Sequence, residues 1–214
     1  MNLDEDIIFD KGANNVIGEG GTAYIMTAKL RSSLIAKHRC SSVAVKIMTE
    51  SSESCSKDFT DSFLYEVALM NSLPKSPNIV HFIGYSTQPL MTLVMKLYST
   101  SLKTLLARQE LFENDAEILL KIAHDICNGM KQIHSYGILH LDLKPSKRHN
   151  ITDGYGLTVD VDNVLVDIMG DMSFNCVICD FGFASFIGES DKLVSGLRTP
   201  TTNGITIRYA APEV

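Results

Sequence analysis

The sequence predicts an α+β fold in two lobes, a five-stranded antiparallel sheet followed by a mainly helical part, with a cleft between them. Three observations predict it. Short apolar runs punctuated by Gly, Pro and Ser fill the chain up to about residue 98. One long run with apolar residues at helical spacing follows residue 115, and the character changes from strand to helix near residues 97–100. A chain of 214 residues suffices for one large domain or two small lobes.

The elements follow in order. Residues 1–11 read as an N-terminal extension, opening on the acidic Met1-Asn2-Leu3-Asp4-Glu5-Asp6. The first lobe spans 12–98. Val16-Ile17-Gly18 enters a glycine turn, residues 23–30 form the next strand, and 43–48 a third. Between the last two, residues 31–42 are polar with two basic ends and read as a loop. Phe63, Val67 and Met70 then recur at helical spacing, and that helix stops before Pro74. Residues 79–83 and 91–97 complete the five strands. The second lobe spans 99–214. Asn114-Asp115-Ala116-Glu117 is a capping box for a helix whose apolar face is Leu119, Ile122, Ala123, Ile126, Met130 and Ile133, and Gly137 ends it.

Composition narrows the function classes. Apolar residues are 45% and charged residues 21%, which suits a globular chain. A net charge of −6 argues against a nucleic-acid partner, which calls for a basic face. The N-terminus is not a signal peptide. Residues 76–95 carry no charge, but Pro77, Asn78, His81, Gln88 and Pro89 interrupt them, so they read as two strands and a turn rather than a membrane segment. Five cysteines, an odd count without a secretion signal, point to reduced thiols and a cytoplasmic location. Cys176 and Cys179 look like a metal or redox pair, yet at i and i+3 of a strand they face opposite ways and cannot share a ligand.

Four features carry chemistry. Gly18-Glu19-Gly20-Gly21-Thr22-Ala23 lies between two strands, where glycines let backbone N–H groups approach a phosphate. No Gly-Lys-Ser/Thr and no helix follows it, which excludes a Walker loop and a dinucleotide fingerprint. Lys46 interrupts an apolar strand, and Glu66 shares the core-facing stripe of its helix. A buried carboxylate needs a partner, and Lys46 is the natural one. Asp142, in His140-Leu141-Asp142-Leu143-Lys144-Pro145, sits where a loop carboxylate can accept a proton from a hydroxyl, with Lys144 able to neutralise a transferred phosphoryl group. Asp180 ends an apolar strand and precedes Phe181-Gly182.

Together these pieces resemble a eukaryotic protein kinase: the glycine loop, Val43-Ala44-Val45-Lys46, Glu66, the loop 140–145, Asp180-Phe181-Gly182 and Ala211-Pro212-Glu213, in that order from about residue 12 to the last. Lys144 and the stretch Thr206-Ile207-Arg208-Tyr209-Ala210-Ala211-Pro212-Glu213 are similar to the serine/threonine type, nearest the tyrosine-kinase-like group. The resemblance implies a two-lobed protein-kinase-like fold, ATP and Mg²⁺ as cofactors, and a protein substrate with Ser or Thr. It implies that Gly18, Gly20 and Gly21 cradle phosphate, that Lys46 contacts the α/β-phosphates and that Glu66 holds Lys46. Ile25 and Ala44 would cover adenine, Met95 would back the pocket, and 96–98, ending at Tyr98, would be the hinge. Asp142 would be the catalytic base, Lys144 its aid, and Asp180 and Asn163 the metal ligands. Residues 185–206 would form the activation segment, with Ser195, Thr199, Thr201 and Thr202 as phosphosites.

Four departures stand out. Ala23 replaces the third loop glycine. Leu141 replaces the usual arginine that pairs with activation-segment phosphate, which argues against ordering by phosphorylation. Lys147 stands where the family places the metal-binding Asn; deleting the sixteen residues 147–162 brings Asn163-Val164-Leu165-Val166-Asp167 to that place. This segment reads as a retained short intron, since Ser146-Lys147 can be written AGT-AAG and Val161-Asp162 GTA-GAT; the alternative is a genuine loop insertion. Finally, the chain stops at Val214, so the second lobe is expected to be truncated. The readings in competition with a kinase are a pseudokinase or nucleotide-binding scaffold, and an inactive fragment.

Overall fold

A computed structural model describes residues 1–9, 15–20, 22–49, 57–107, 116–143, 145–146, 160–161, 163–171 and 173–187. Gly21, Lys144, Asn114, Asp115, the four phosphosites and Ala211-Pro212-Glu213 lie outside them. The chain divides into two compact units, Met1–Asn71 with Val80–Leu97, and Ser72–Ile79 with Tyr98–Val214.

Unit 1 is built on an antiparallel sheet. Its strands are β1 (Ile7–Phe9), β2 (Val16–Glu19), β3 (Ala23–Leu30), β4 (Ser42–Met48), β5 (Phe82–Ser86) and β6 (Thr92–Lys96), in the order β1-β3-β4-β6-β5 with β2 also on β3. The five expected strands are present and a sixth joins them. The apolar-alternate pattern of β4 explains its place at the centre: Val43, Val45 and Ile47 are buried, while Ala44 and Lys46 face the other way. The covered face packs Val43, Val45, Ile47 and Val94 with Ala28, Leu30, Leu3 and Ile7.

Three local expectations change. Residues 1–9, read as part of an extension, form a short helix α1 (Leu3–Asp6) and β1, which pairs Ile7 with Leu30. Leu3 and Ile7 supply the apolar anchors, 8% and 4% exposed. The polar stretch 31–42, read as a loop, holds α2 (Ser32–His38), which ends at Arg39 in a left-handed conformation (φ 54°). It was hidden because only Leu34 and Ile35 touch the core. The strand expected over 79–83 sits later, as β5, because Ile79 instead bridges to Ile178 in unit 2. The helix carrying Glu66 is α3 (Lys57–Ser72), with Phe63, Val67 and Met70 buried as expected.

Unit 2 opens with β7 (Thr100–Ser101) and α4 (Leu102–Leu106), capped by Ser101 Oγ, which accepts from Thr104 N–H at 3.0 Å. The long helix is α5 (Ala116–Ser135). Gly137 follows it with φ +69°, the left-handed helix stop the sequence predicts. Its buried face is Ile122, Asp125, Gly129 and Ile133; Leu119, assigned to the core face, is 52% exposed. Asp125 fits there because its Oδ2 accepts from Cys176 N–H at 2.9 Å and Lys121 Nζ at 2.8 Å. Gly129 has no room for a side chain: a Cβ would lie 2.7 Å from the Asn78 carbonyl oxygen and from Ile178 Cδ1. Then come β8 (Ile138–Leu139), β9 (Pro145–Ser146), β10 (Asp160–Val161), β11 (Val164–Ile168), β12 (Phe174–Ile178) and β13 (Ser185–Phe186). The β12-β11-β7 sheet packs Val164, Val166 and Cys176 against Leu102 and Ile122. β13, the start of the expected activation segment, pairs Ser185 with Leu139.

Candidate active site

In unit 1 the strand register collects the expected residues on one face. Ile25 lies opposite Lys46, and Lys46 opposite Leu93; Thr27 lies opposite Ala44, and Ala44 opposite Met95. Directly opposed residues share a face, so Ile25, Ala44, Lys46 and Met95 stand on the side away from the buried Val43 and Val45. Gly18 pairs with Ile25, after which the chain turns: Gly20 N–H donates to Ala23 O at 2.8 Å. The amide of Gly20 thus closes the glycine turn itself.

α3 brings Glu66 to Lys46, with Nζ 3.0 Å from Oε1 and side chains 15% and 7% exposed. The interior offers Glu66 little water, so the lysine is the partner that makes its burial tolerable. The ammonium gains a fixed orientation in return.

In unit 2 a closed ring of hydrogen bonds holds Asp142. The Asp142 N–H donates to His140 Nδ1 at 3.3 Å, and His140 Nε2 bonds the Cys179 carbonyl oxygen at 3.0 Å. The Cys179 N–H donates to Asn163 O at 3.0 Å. Asn163 closes the ring, its Nδ2 donating to Asp142 O at 2.9 Å and Asp142 Oδ2 at 2.8 Å. With Nδ1 accepting and Nε2 donating, the ring requires a neutral imidazole. His140 is 1% exposed, and burial pushes its pKa below the ordinary histidine value despite the Cys179 carbonyl and the charges of Asp180 and Asp142. Its ring packs on Phe181, centroids 5.0 Å apart, and Phe181 is fully buried.

Backbone conformation marks the same place. Leu141 and Asp180 both have φ 63°, two of the three described non-glycine residues in left-handed geometry. Such a conformation costs about 1–2 kcal/mol, and strain of this kind gathers where side chains must point in fixed directions. Asp180 is exposed, and its Oδ1 accepts from Gly182 N–H at 3.4 Å. Leu141 is 57% exposed.

The donor set suits a hard divalent cation. Asp180 presents a carboxylate, and Asn163, its Nδ2 engaged by Asp142, has its amide oxygen to offer. Among the described residues no group of three or more His, Cys, Asp or Glu gathers for a metal. A carboxylate and an amide oxygen are the kind of donors that Mg²⁺ takes together with substrate phosphates. Cys176 is buried in β12, and burial pushes its thiol up to about 12, whereas Cys179 lies one residue past the end of that strand.

Of the expected site residues, Ile25, Ala44, Lys46, Glu66 and Met95 lie in unit 1 and Asp142, Asn163 and Asp180 in unit 2; Tyr98, read as the end of the first lobe, falls in unit 2. Sequence reasoning did not find the part played by His140 and the Cys179 main chain. The one available signal was a histidine two residues before Asp142, at the end of an apolar strand.

A sequence-family model described as protein tyrosine and serine/threonine kinase matches residues 12–214. The chain belongs to this protein kinase family. Among its relatives is a protein of Acanthamoeba polyphaga mimivirus named as a serine/threonine-protein kinase/receptor, 34% identical over 80% of this chain and 9% of its own length. A Dictyostelium discoideum protein named as a serine/threonine-protein kinase is 31% identical over 80% of this chain and 11% of its own. The serine/threonine-protein kinase dkf-1 of Caenorhabditis elegans is 29% identical over 92% of this chain and 23% of its own. The chain therefore spans less than a quarter of the length of these relatives. Within the kinase frame, the unit 1 sheet and the α3 helix are the strand lobe, and no helix among the described residues is long and apolar enough to cross a membrane.

Proposed function

We propose that this kinase chain is the catalytic part of a protein serine/threonine kinase, transferring the γ-phosphoryl group of ATP to a protein hydroxyl. The observation that carries the reading is the ring around Asp142, which aims a carboxylate beside the amide of Asn163. Phosphoryl transfer demands little covalent work from the protein; positioning and charge neutralisation do most of it. Lys46, steered by Glu66, draws in the α- and β-phosphates, and the turn from Gly18 through Gly20 and Gly21 follows them with main chain. Ile25, Ala44, Met95 and Tyr98 take the base. Asp142 accepts the proton of the attacking hydroxyl, and Lys144 meets the charge on the phosphoryl group in flight. Asp180 and Asn163 hold Mg²⁺, which when bound offsets the charge on the phosphate oxygens. The names of the relatives favour Ser and Thr as acceptors.

The test is phosphate transfer to a generic Ser/Thr substrate by the full-length protein, with Asp142→Asn as the control. General-base loss should lower kcat by about 10²–10⁴-fold, with nucleotide binding retained. Equal rates for the two proteins, or no transfer by either while ATP still binds, would favour a pseudokinase scaffold instead.

A further inference from the structure

The segment 147–162 separates Ser146 from Asn163, yet two residues near its far end pair with the two residues that precede it. β9 and β10 run antiparallel, Asp160 opposite Ser146 and Val161 opposite Pro145. Opposed Cα atoms in such a ladder are about 4.5–5.5 Å apart. A chain that departs after Ser146 therefore returns one strand spacing away. Two residues past Val161 comes Asn163, whose Nδ2 reaches Asp142 Oδ2 at 2.8 Å and whose carbonyl accepts Cys179 N–H.

Returning such an excursion costs little entropy, since the closure term grows only with the logarithm of its length. Accuracy is the harder requirement, because about 1 Å of misplacement near the chemistry can cost roughly 100-fold in rate. Something must fix where the chain re-enters the loop.

We propose that the β9–β10 ladder is the element that positions Asn163, taking the excursion out of the catalytic loop so that Asn163 follows Ser146 in space. The inference rests on the phosphoryl-transfer reading and deepens it. It applies to the chain that carries residues 147–162, because β10 lies within them; without them Asn163 would follow Ser146 directly along the chain.

Binding of a non-hydrolysable ATP analogue, followed by calorimetry across a Mg²⁺ titration, tests this in the full chain. Asn163→Ala sets the reference for loss of the amide, and loss of support for a metal ligand typically weakens the metal by about 10–100-fold. Pro145 has no N–H, so Asp160 and Ser146 form the hydrogen-bonded pair of the ladder; Asp160→Pro, which denies that pair a donor, should raise the Mg²⁺ needed for half-maximal binding about tenfold, toward that reference. Replacing 147–159 by Asn-Gly leaves Ser146 and Asp160 flanking a two-residue hairpin turn; this variant should stay within about twofold of the parent. Ser146→Cys with Asp160→Cys adds a check that does not depend on how well Asp160→Pro folds. Directly opposed Cα atoms fall in the disulfide window of about 4.4–6.8 Å, so the pair should cross-link on mild oxidation and keep the parental Mg²⁺ requirement. Failure to cross-link, or a raised requirement once cross-linked, overturns the proposal. So does a parental requirement in a folded Asp160→Pro protein while Asn163→Ala is impaired, and then only the ladder's role is lost. If Asn163→Ala itself matches the parent, the metal role in the proposed function fails and takes the ladder's role with it.

Discussion

The two units hold their key charges by different means. In unit 1 one charge holds another: Lys46 and Glu66 meet in a single 3.0 Å contact between β4 and α3. In unit 2 a ring of neutral groups binds Asp142, and every bond of that ring except Asn163 Nδ2 to Oδ2 uses a main-chain atom. The contrast teaches where each half is vulnerable. The ion pair depends on the position of one helix and can be broken at a single side chain. The ring depends on the path of the chain through 140–142, 163 and 179, and it is broken by displacing backbone.

The largest expected effect follows from the ion pair. Glu66→Ala takes from the half-buried Lys46 the carboxylate that stands 3.0 Å from its Nζ, so the protein should lose about 3 kcal/mol of stability and about 100-fold in kcat/KM for ATP. Chemical denaturation and steady-state kinetics read the two, and a variant with parental values in both would show that the pair does not orient Lys46. Next comes Gly129→Ala in unit 2. The added methyl meets the Asn78 carbonyl and Ile178, one residue before Cys179 of the ring. Overpacking of this kind costs about 1–3 kcal/mol, more than the ~1 kcal/mol that Ala gains over Gly in a helix. A lower Tm with a reduced kcat would tie the ring to the packing of α5, whereas a raised Tm would show that the helix can move away.

A smaller effect belongs to pH. The pKa of His140 is lowered in the folded protein, chiefly by burial. The unfolded chain therefore binds a proton first as pH falls, and the stability linked to His140 is complete above its unfolded pKa of about 6.5 and declines below it. Urea midpoints should fall between pH 7 and 5.5, and His140→Gln should flatten that slope; an unchanged slope would mean the ring tolerates an imidazolium. The smallest effect is expected at the activation segment. With Leu141 in place of the arginine there is no guanidinium at that position to receive a phosphate, so Ala at Thr199, Thr201 or Thr202 should leave basal activity nearly unchanged. A loss above about tenfold, against the ~1–3 charge-assisted bonds a phosphate can add, would revise the role given to Leu141.

Much of the fold was legible because burial alternates visibly. β3 and β4 emerge where the sequence predicts them, since Val43, Val45 and Ile47 repeat every second residue. Glu66 could be assigned to Lys46 because a carboxylate on a buried helical stripe demands a partner. The misplaced elements lack such a signal. α2 holds its place with only two core contacts, and the apolar run at 79–83 does not say which residue starts the strand. Leu119 was given to the core because a helical stripe does not reveal where along the helix the covering residues end. The ring was illegible for a simpler reason: it is made largely of main-chain atoms, which every residue possesses, brought together by turns at Leu141 and Asp180 that no side-chain pattern announces.

The N-terminal residues have a practical consequence. The family match starts at residue 12, and a domain cut there would look natural by alignment. Yet Leu3 and Ile7 lie ahead of that point, plugged into the sheet beside Val43 and Leu30. Fully burying such side chains contributes about 1.5–3 kcal/mol each. A shorter recombinant protein starting at residue 12 would leave open sockets on the sheet and one bare flank on β3, an invitation to self-association during expression.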